Sequence, residues 1–213
     1  MSCERTVRAE GAGRHAIEKT DTNPNLYQNF KLDSRQLSDI VFPVCSIILI
    51  PLQQEKTMIC IDIPGVGKKE IHHIVFDYNG TIAIDGVLIP GVKEAIRSFA
   101  GQAAFHVITA DTFGFVTDQV SDIDCRVVII PPKDQAQSKQ DFIAGLGVQN
   151  ILCLGNGAND ELMLKDAAVG IAVLQEEGLA AAALFAADLV VKDVLDVFAL
   201  LKTPERIMAT LRK

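Results

Sequence analysis

From Met58 onward, apolar runs of strand length alternate with helix-patterned segments, and this alternation most narrows the folds open to the chain. The runs MICIDI, HHIVFDY, AFHVITA, CRVVIIP, NILCLGN, VGIAVL and DLVVK read as strands. Between them GVKEAIRSFAG, FGFVTDQVSD, AQSKQDFIAGLG, NDELMLKDAA, EEGLAAAALFAA and a last stretch from Val194 to Arg212 read as helices. Several strand runs are apolar throughout, as expected where both faces of a parallel sheet are covered. Alternating strands and helices with short connections imply a three-layer α/β/α Rossmann-like sandwich, mainly parallel, with right-handed crossovers. GVGKK, residues 65–69, reads as the turn of an N-terminal β-hairpin.

The first 57 residues are of another kind. Their seven Lys/Arg balance seven Asp/Glu, so residues 58–213 carry the whole formal charge of −7. Residues 1–39 show no sustained periodicity, and IVFPVCSIILIPL carries two prolines, which demote a strand-like run to an edge or an irregular segment. The expectation is an N-terminal extension over 1–57, either weakly ordered or upstream of a natural start at Met58, followed by one domain over 58–213. The apolar stretch Ile40–Leu52 falls short of the roughly 20 residues that span a bilayer, and the polar start lacks the apolar region of a signal peptide. With a net charge of −7, neither a nucleic-acid surface nor a membrane is the expected partner. The five cysteines form no C-x-x-C pair; Cys60, Cys125 and Cys153 sit in apolar runs and read as small core hydrophobes of a reduced, cytoplasmic protein.

Ligands of such sandwiches bind beyond the carboxyl ends of the strands, and four polar stations fall there. Asp77 closes IHHIVFD and precedes Tyr78-Asn79-Gly80-Thr81. A carboxylate at a buried strand end is costly unless it meets a metal, hydrogen bonds or a substrate. The Asn79-Gly80 turn offers backbone N–H groups to a phosphoryl group, or simply terminates the strand. Thr109, before Ala110 and Asp111, could hold phosphate oxygens or cap the next helix. Lys139 could neutralise phosphate, or be a solvated helix lysine. In GNGAND, residues 155–160, glycine permits a sharp turn and Asp160 can reach a divalent cation.

Taken together and in this order, these stations resemble the haloacid dehalogenase superfamily. FDYNGT resembles its first motif (D-x-D-G-T), ITAD its second, Lys139 its third and GNGANDELMLKDAAVGIAV its fourth. TAD and the last stretch look most like the phosphorylation domain of P-type ATPases and their small soluble phosphatase relatives. The resemblance covers residues 58–213. It implies a magnesium-dependent phosphohydrolase in which Asp77 forms an aspartyl phosphate. Mg2+ would be held by Asp77, the Asn79 carbonyl, Asn156 and Asp160. The phosphate would meet Asn79, Gly80, Thr109, Ala110 and Lys139, with Asp77, Asn79 and Lys139 at the catalytic positions.

Two residues depart from the family pattern. Asn79 stands where phosphatases of the family carry the Asp that protonates the leaving group and then activates water. General acid–base catalysis contributes about 10²–10⁴-fold, so ordinary phosphomonoesters should turn over slowly and acyl phosphates suffer less. Asn156 stands where the fourth motif carries an Asp, which removes a negative charge from the cation site. The intervals from Asp77 to Phe105 and from Thr109 to Lys139 leave little room for a cap. A capless, open site suits a small phosphorylated substrate in a homo-oligomer's cleft, or a phosphate on a larger partner. The alternative function is a phosphate-sensing or regulatory binding protein that keeps the fold with little turnover. GAGRHA (residues 11–16) follows no strand and is discounted as a dinucleotide site, and adjacent His72 and His73 read as structural.

Overall fold

The computed structural model describes residues 58–110 and 115–213. The expectations for residues 1–57 lie outside them. Strands β1 (Ile59–Ile63) and β2 (Gly67–Ile71) pair antiparallel, with Ile59 opposite Ile71, and form the expected N-terminal hairpin. There follow β3 (His73–Asp77), β4 (Ala83–Ile84), β5 (Val87–Leu88), α1 (Val92–Ser98), β6 (Ala104–Thr109), α2 (Phe115–Val120) and β7 (Cys125–Ile129). The chain continues through α3 (Gln135–Leu146), β8 (Ile151–Gly155), α4 (Glu161–Asp166), β9 (Val169–Val173), α5 (Ala181–Ala186), β10 (Leu189–Val191), α6 (Val194–Lys202) and α7 (Pro204–Leu211).

Six strands form one sheet in the order β10-β9-β8-β3-β6-β7, and every pairing in it is parallel. Strand β3 is buried on both faces because its two-residue period serves two cores. Ile74 and Phe76 join the layer packed by α1, α6 and α7, where Phe76 stacks between Phe105 and Phe198 at 6.1 Å from each. Val75 points the other way, into the layer of Ile143 from α3, Met163 from α4 and Ala183 from α5. Burying a side chain such as Phe76 contributes about 1.5–3 kcal/mol, so the central strand is anchored from both sides. The three-layer sandwich with a parallel sheet is therefore present. Its order places β3 beside β6 and β8: the chain runs outward through β6 to β7, then α3 returns it to β8 on the other side of β3.

Three local readings need correction. The single helix expected from Val194 to Arg212 is two, because Pro204 has no N–H and excludes helical backbone at the residue before it; Thr203 adopts φ −134° and ψ 70°. The helix expected over EEGLAAAALFAA begins only at Ala181, since Gln175 and Gly178 close a tight bridge with Gly178 at φ +87°. Cys60 is exposed on the outer face of β1 and is no core residue, whereas Cys153 is buried and Cys125 half-buried. Burial pushes the Cys125 thiol up to about 12, and that of Cys153 higher still. The short hairpin β4–β5 went unread in the sequence although Asp85-Gly86 is its turn, with φ of +50° and +77°. No helix among the described residues is long and apolar enough to cross a membrane.

Candidate active site

Strands β3, β6 and β8 lie side by side and end on Asp77, Thr109 and Gly155, so their carboxyl ends share one edge of the sheet. Helix α3 is the crossover that carries the chain back over this edge. For that reason Lys139, in its second turn, meets residues of both β3 and the loop after β8. Its Nζ donates to Asp77 Oδ1 and Asp160 Oδ1, each at 2.5 Å. Lys139 is 1% exposed and Asp160 0%. The reading of Lys139 as a solvated surface lysine is thus set aside. With both carboxyls ionised, two carboxylates and one ammonium leave this triad with one net negative charge, in a setting where an unpaired charge would cost several kcal/mol.

The electrostatics follow from that crowding. Burial alone would lower the Lys139 value, but Asp77 and Asp160 outweigh it and hold the ammonium above the ordinary lysine value. Burial and the charge of Asp160 push Asp77 up to about 7, against the pull of Lys139 and a hydrogen bond from the Tyr78 backbone. Asp77 is 9% exposed, so it is largely enclosed with a small part reaching the surface.

The turn after Asp77 is wound tightly on itself. Gly80 N–H donates to the Ala83 carbonyl at 2.7 Å, and the N–H groups of Thr81, Ile82 and Ala83 all donate to the Tyr78 carbonyl. The Gly80 amide expected to greet phosphate is therefore occupied within the turn. Gly80 is needed for shape: it holds φ +75°, and a Cβ there would run into the Asn156 side-chain amide. Asn79 is exposed at the surface of this turn. Thr109 is buried at 6% exposure, with half-buried Ala110 just beyond it.

Asp160 does not present a free carboxylate. Its Oδ2 accepts from the backbone N–H groups of Asn156 (3.0 Å) and Gly157 (2.8 Å), and its Oδ1 from Lys139. It fastens the loop and aims the lysine. Asn156 accepts from the Thr81 hydroxyl at 3.3 Å and donates to the Gly178 carbonyl at 3.0 Å. Thr81 is fully buried, and its contact to Asn156 was not foreseen; the threonine that closes FDYNGT was the available signal.

The sequence matches no family model. An uncharacterized protein of Methanocaldococcus jannaschii is 44% identical over 64 residues, which are 30% of this chain and 69% of that protein. The chain belongs to the same family as that archaeal protein. Among solved structures, the cobalt-bound deoxy-D-mannose-octulosonate 8-phosphate phosphatase of Haemophilus influenzae superposes with a TM-score of 0.53 at 9% identity, over 67% of this chain and 94% of that one. A candidate 3-deoxy-D-manno-octulosonate 8-phosphate phosphatase of Vibrio cholerae gives 0.53 at 14% identity, over 70% and 97%. The fold is that of the haloacid dehalogenase superfamily. In this chain Asp77 and Thr109 end β3 and β6, Lys139 lies on α3, and Asp160 lies five residues beyond the end of β8.

Among the described residues, no three His, Cys, Asp or Glu side chains cluster as a ready metal site. The expected ligand oxygens other than Asp160 are the Asp77 carboxylate, the Asn156 amide oxygen, which accepts from Thr81, and the Asn79 carbonyl. All are hard donors, and magnesium typically takes one or two carboxylates and completes its shell with water and phosphate. The donor set fits magnesium in kind and is poor in charge.

Proposed function

We propose that the protein is a phosphohydrolase acting through an aspartyl phosphate on Asp77, slow on ordinary phosphomonoesters. A small phosphorylated compound, or a phosphate on a larger partner, is the substrate. What carries the reading is the buried Lys139 ammonium joining Asp77 to Asp160 at the carboxyl edge of the sheet. An ammonium held there lies next to the charge that develops when phosphate arrives, and electrostatic stabilisation is the main protein contribution to phosphoryl transfer.

In this mechanism an Asp77 carboxylate oxygen bonds to phosphorus as the bond to the leaving oxygen breaks, and that oxygen departs with its electron pair. Lys139 and the Thr109 hydroxyl hold the equatorial phosphate oxygens, with the Ala110 backbone beside them. Magnesium, held by Asp77, the Asn79 carbonyl and Asn156, would neutralise phosphate charge when bound. Asp160 orients Lys139 and the Asn156 loop, a role that its satisfied oxygens favour over direct ligation. Water then attacks phosphorus and returns Asp77 and inorganic phosphate. Asn79 can hydrogen-bond but cannot give up a proton as an acid, so leaving groups that need no proton are favoured. The similarity of TAD and the fourth motif to P-type ATPases supports a soluble relative of that branch.

Phosphate release from acetyl phosphate and p-nitrophenyl phosphate by the full chain tests this, with magnesium and with chelator, beside Asp77→Asn. Release from acetyl phosphate that vanishes in Asp77→Asn is expected. Equal release by both proteins would refute the role of Asp77. The paired Asn79 and Asn156 favour one other reading, a phosphate-sensing protein with little turnover. It gains if phosphate binds and neither compound is hydrolysed.

A further inference from the structure

Beside the two residues that follow Asp77 lies a cavity of about 440 Å³, bordered by Tyr78, Asn79, Asp85, Gly86, Val87, Phe115 and Gln119. That volume is within the range of small-molecule sites. Its outer wall is the β4–β5 hairpin, and the hairpin is tied down at both sides of its turn. Gln119 of α2 donates from Nε2 to the Gly86 carbonyl and accepts at Oε1 from the Leu88 N–H, each at 2.7 Å. The Tyr78 hydroxyl donates to the same Gly86 carbonyl at 3.1 Å, and the Asp85 N–H donates to Glu177 Oε1 at 2.8 Å. One side-chain amide thus plays the part of a neighbouring strand and fixes the wall.

The chemistry of the lining is selective. Val87 and Phe115 are 66% and 65% exposed, an apolar rim that most side chains of their type would avoid. Asp85 is the one charged residue among the described lining residues, and none of them is Lys or Arg. Lys93 lines a separate cavity that shares Gln119 and is paired with Asp122 at 2.7 Å. A second carboxylate or phosphate on the substrate would meet the Asp85 carboxylate, with no Lys or Arg among the described lining residues to offset it.

Resting on the phosphohydrolase reading, we propose that this cavity receives the leaving group, that Gln119 positions its wall, and that the substrate carries its phosphate on a neutral or cationic group with an apolar face. Sugar acids and nucleoside polyphosphates are disfavoured by the same lining.

The test uses the full chain with acetyl phosphate as substrate, and reads phenyl phosphate, 4-carboxyphenyl phosphate and tyramine O-phosphate as competitive inhibitors. The carboxylate-bearing compound should bind about tenfold more weakly than phenyl phosphate, as expected for one like-charge contact near the surface, and the amine-bearing one at least as tightly. Asp85→Asn should shrink that gap to within about threefold, and Asn suits the left-handed backbone at φ +50°. Gln119→Ala should raise the Ki of phenyl phosphate several-fold more than the KM of acetyl phosphate, a split that general loosening of the fold would not produce. Equal inhibition by all three compounds, or a gap that Asp85→Asn leaves intact, overturns the proposal while the phosphohydrolase reading stands. No hydrolysis of acetyl phosphate removes both.

Discussion

Asp77, the proposed nucleophile, is buried beside Asp160, and that setting favours its neutral form. Its value of about 7 lies well above the unfolded value of about 3.9, so its protonated form is favoured by folding. That contribution to stability is fully present below pH about 4 and is lost as the pH rises through about 7. Asp77→Asn buries no charge at any pH. In chelator, it should melt at a higher temperature than the parent at pH 8 and near the same temperature at pH 4, while releasing no phosphate. Calorimetry at the two pH values checks this. A lower melting temperature at pH 8 would mean that the Lys139–Asp77 pair is net stabilising. Two residues along, Asn79→Asp supplies the missing acid. Turnover of p-nitrophenyl phosphate and other esters should rise by about 10²-fold or more, and that of acetyl phosphate less. Steady-state rates on both compounds decide it, and an unchanged ester rate would mean that position 79 does not reach the leaving oxygen.

Among the elements, the turn from Asp77 to Ala83 and the loop from Gly155 to Asp160 form a unit. Gly80 is where they touch. Gly80→Ala must place a Cβ against the Asn156 amide at φ +75°, so it should cost about 1–3 kcal/mol of stability and most of the phosphate release. Urea unfolding and a phosphate assay measure the two; a fully active, fully stable variant would show that the turn can open freely. The strands and the four stations were legible in the sequence because a buried parallel sheet needs continuous apolar runs, and a charge at the end of one is conspicuous. The burial of Lys139 was not, since a helix lysine reads the same whether solvent or two carboxylates await it. Nor could the sequence show that the Gly80 amide is used within its own turn, or that Asp160 spends both oxygens on Lys139 and the loop. Those depend on contacts between residues far apart in the chain. The Asp85-Gly86 hairpin and the stop at Pro204 were readable from local turn chemistry; the first has strands of only two residues each, too short to show a period, and the second lay under a longer apolar pattern from Val194 to Arg212.

At the scale of the whole molecule, the site must draw an anion onto an anion. The chain carries −7, and once Asp77 is ionised, above pH about 7, the triad of Asp77, Asp160 and Lys139 has one net negative charge. A phosphate dianion is therefore repelled at long range and attracted only within reach of the lysine. Salt screens the first interaction more than the second, because the ammonium is buried and the Debye length falls from about 30 Å at 0.01 M to about 8 Å at 0.15 M. For acetyl phosphate, kcat/KM should accordingly rise as ionic strength increases over that interval, through a lower KM at nearly constant kcat. Proteins that steer phosphates with exposed basic patches behave the opposite way. Rates measured across a sodium chloride series at fixed free magnesium separate the two. A steady fall with salt would mean that cationic side chains near the mouth of the site, and not Lys139 alone, guide the substrate in.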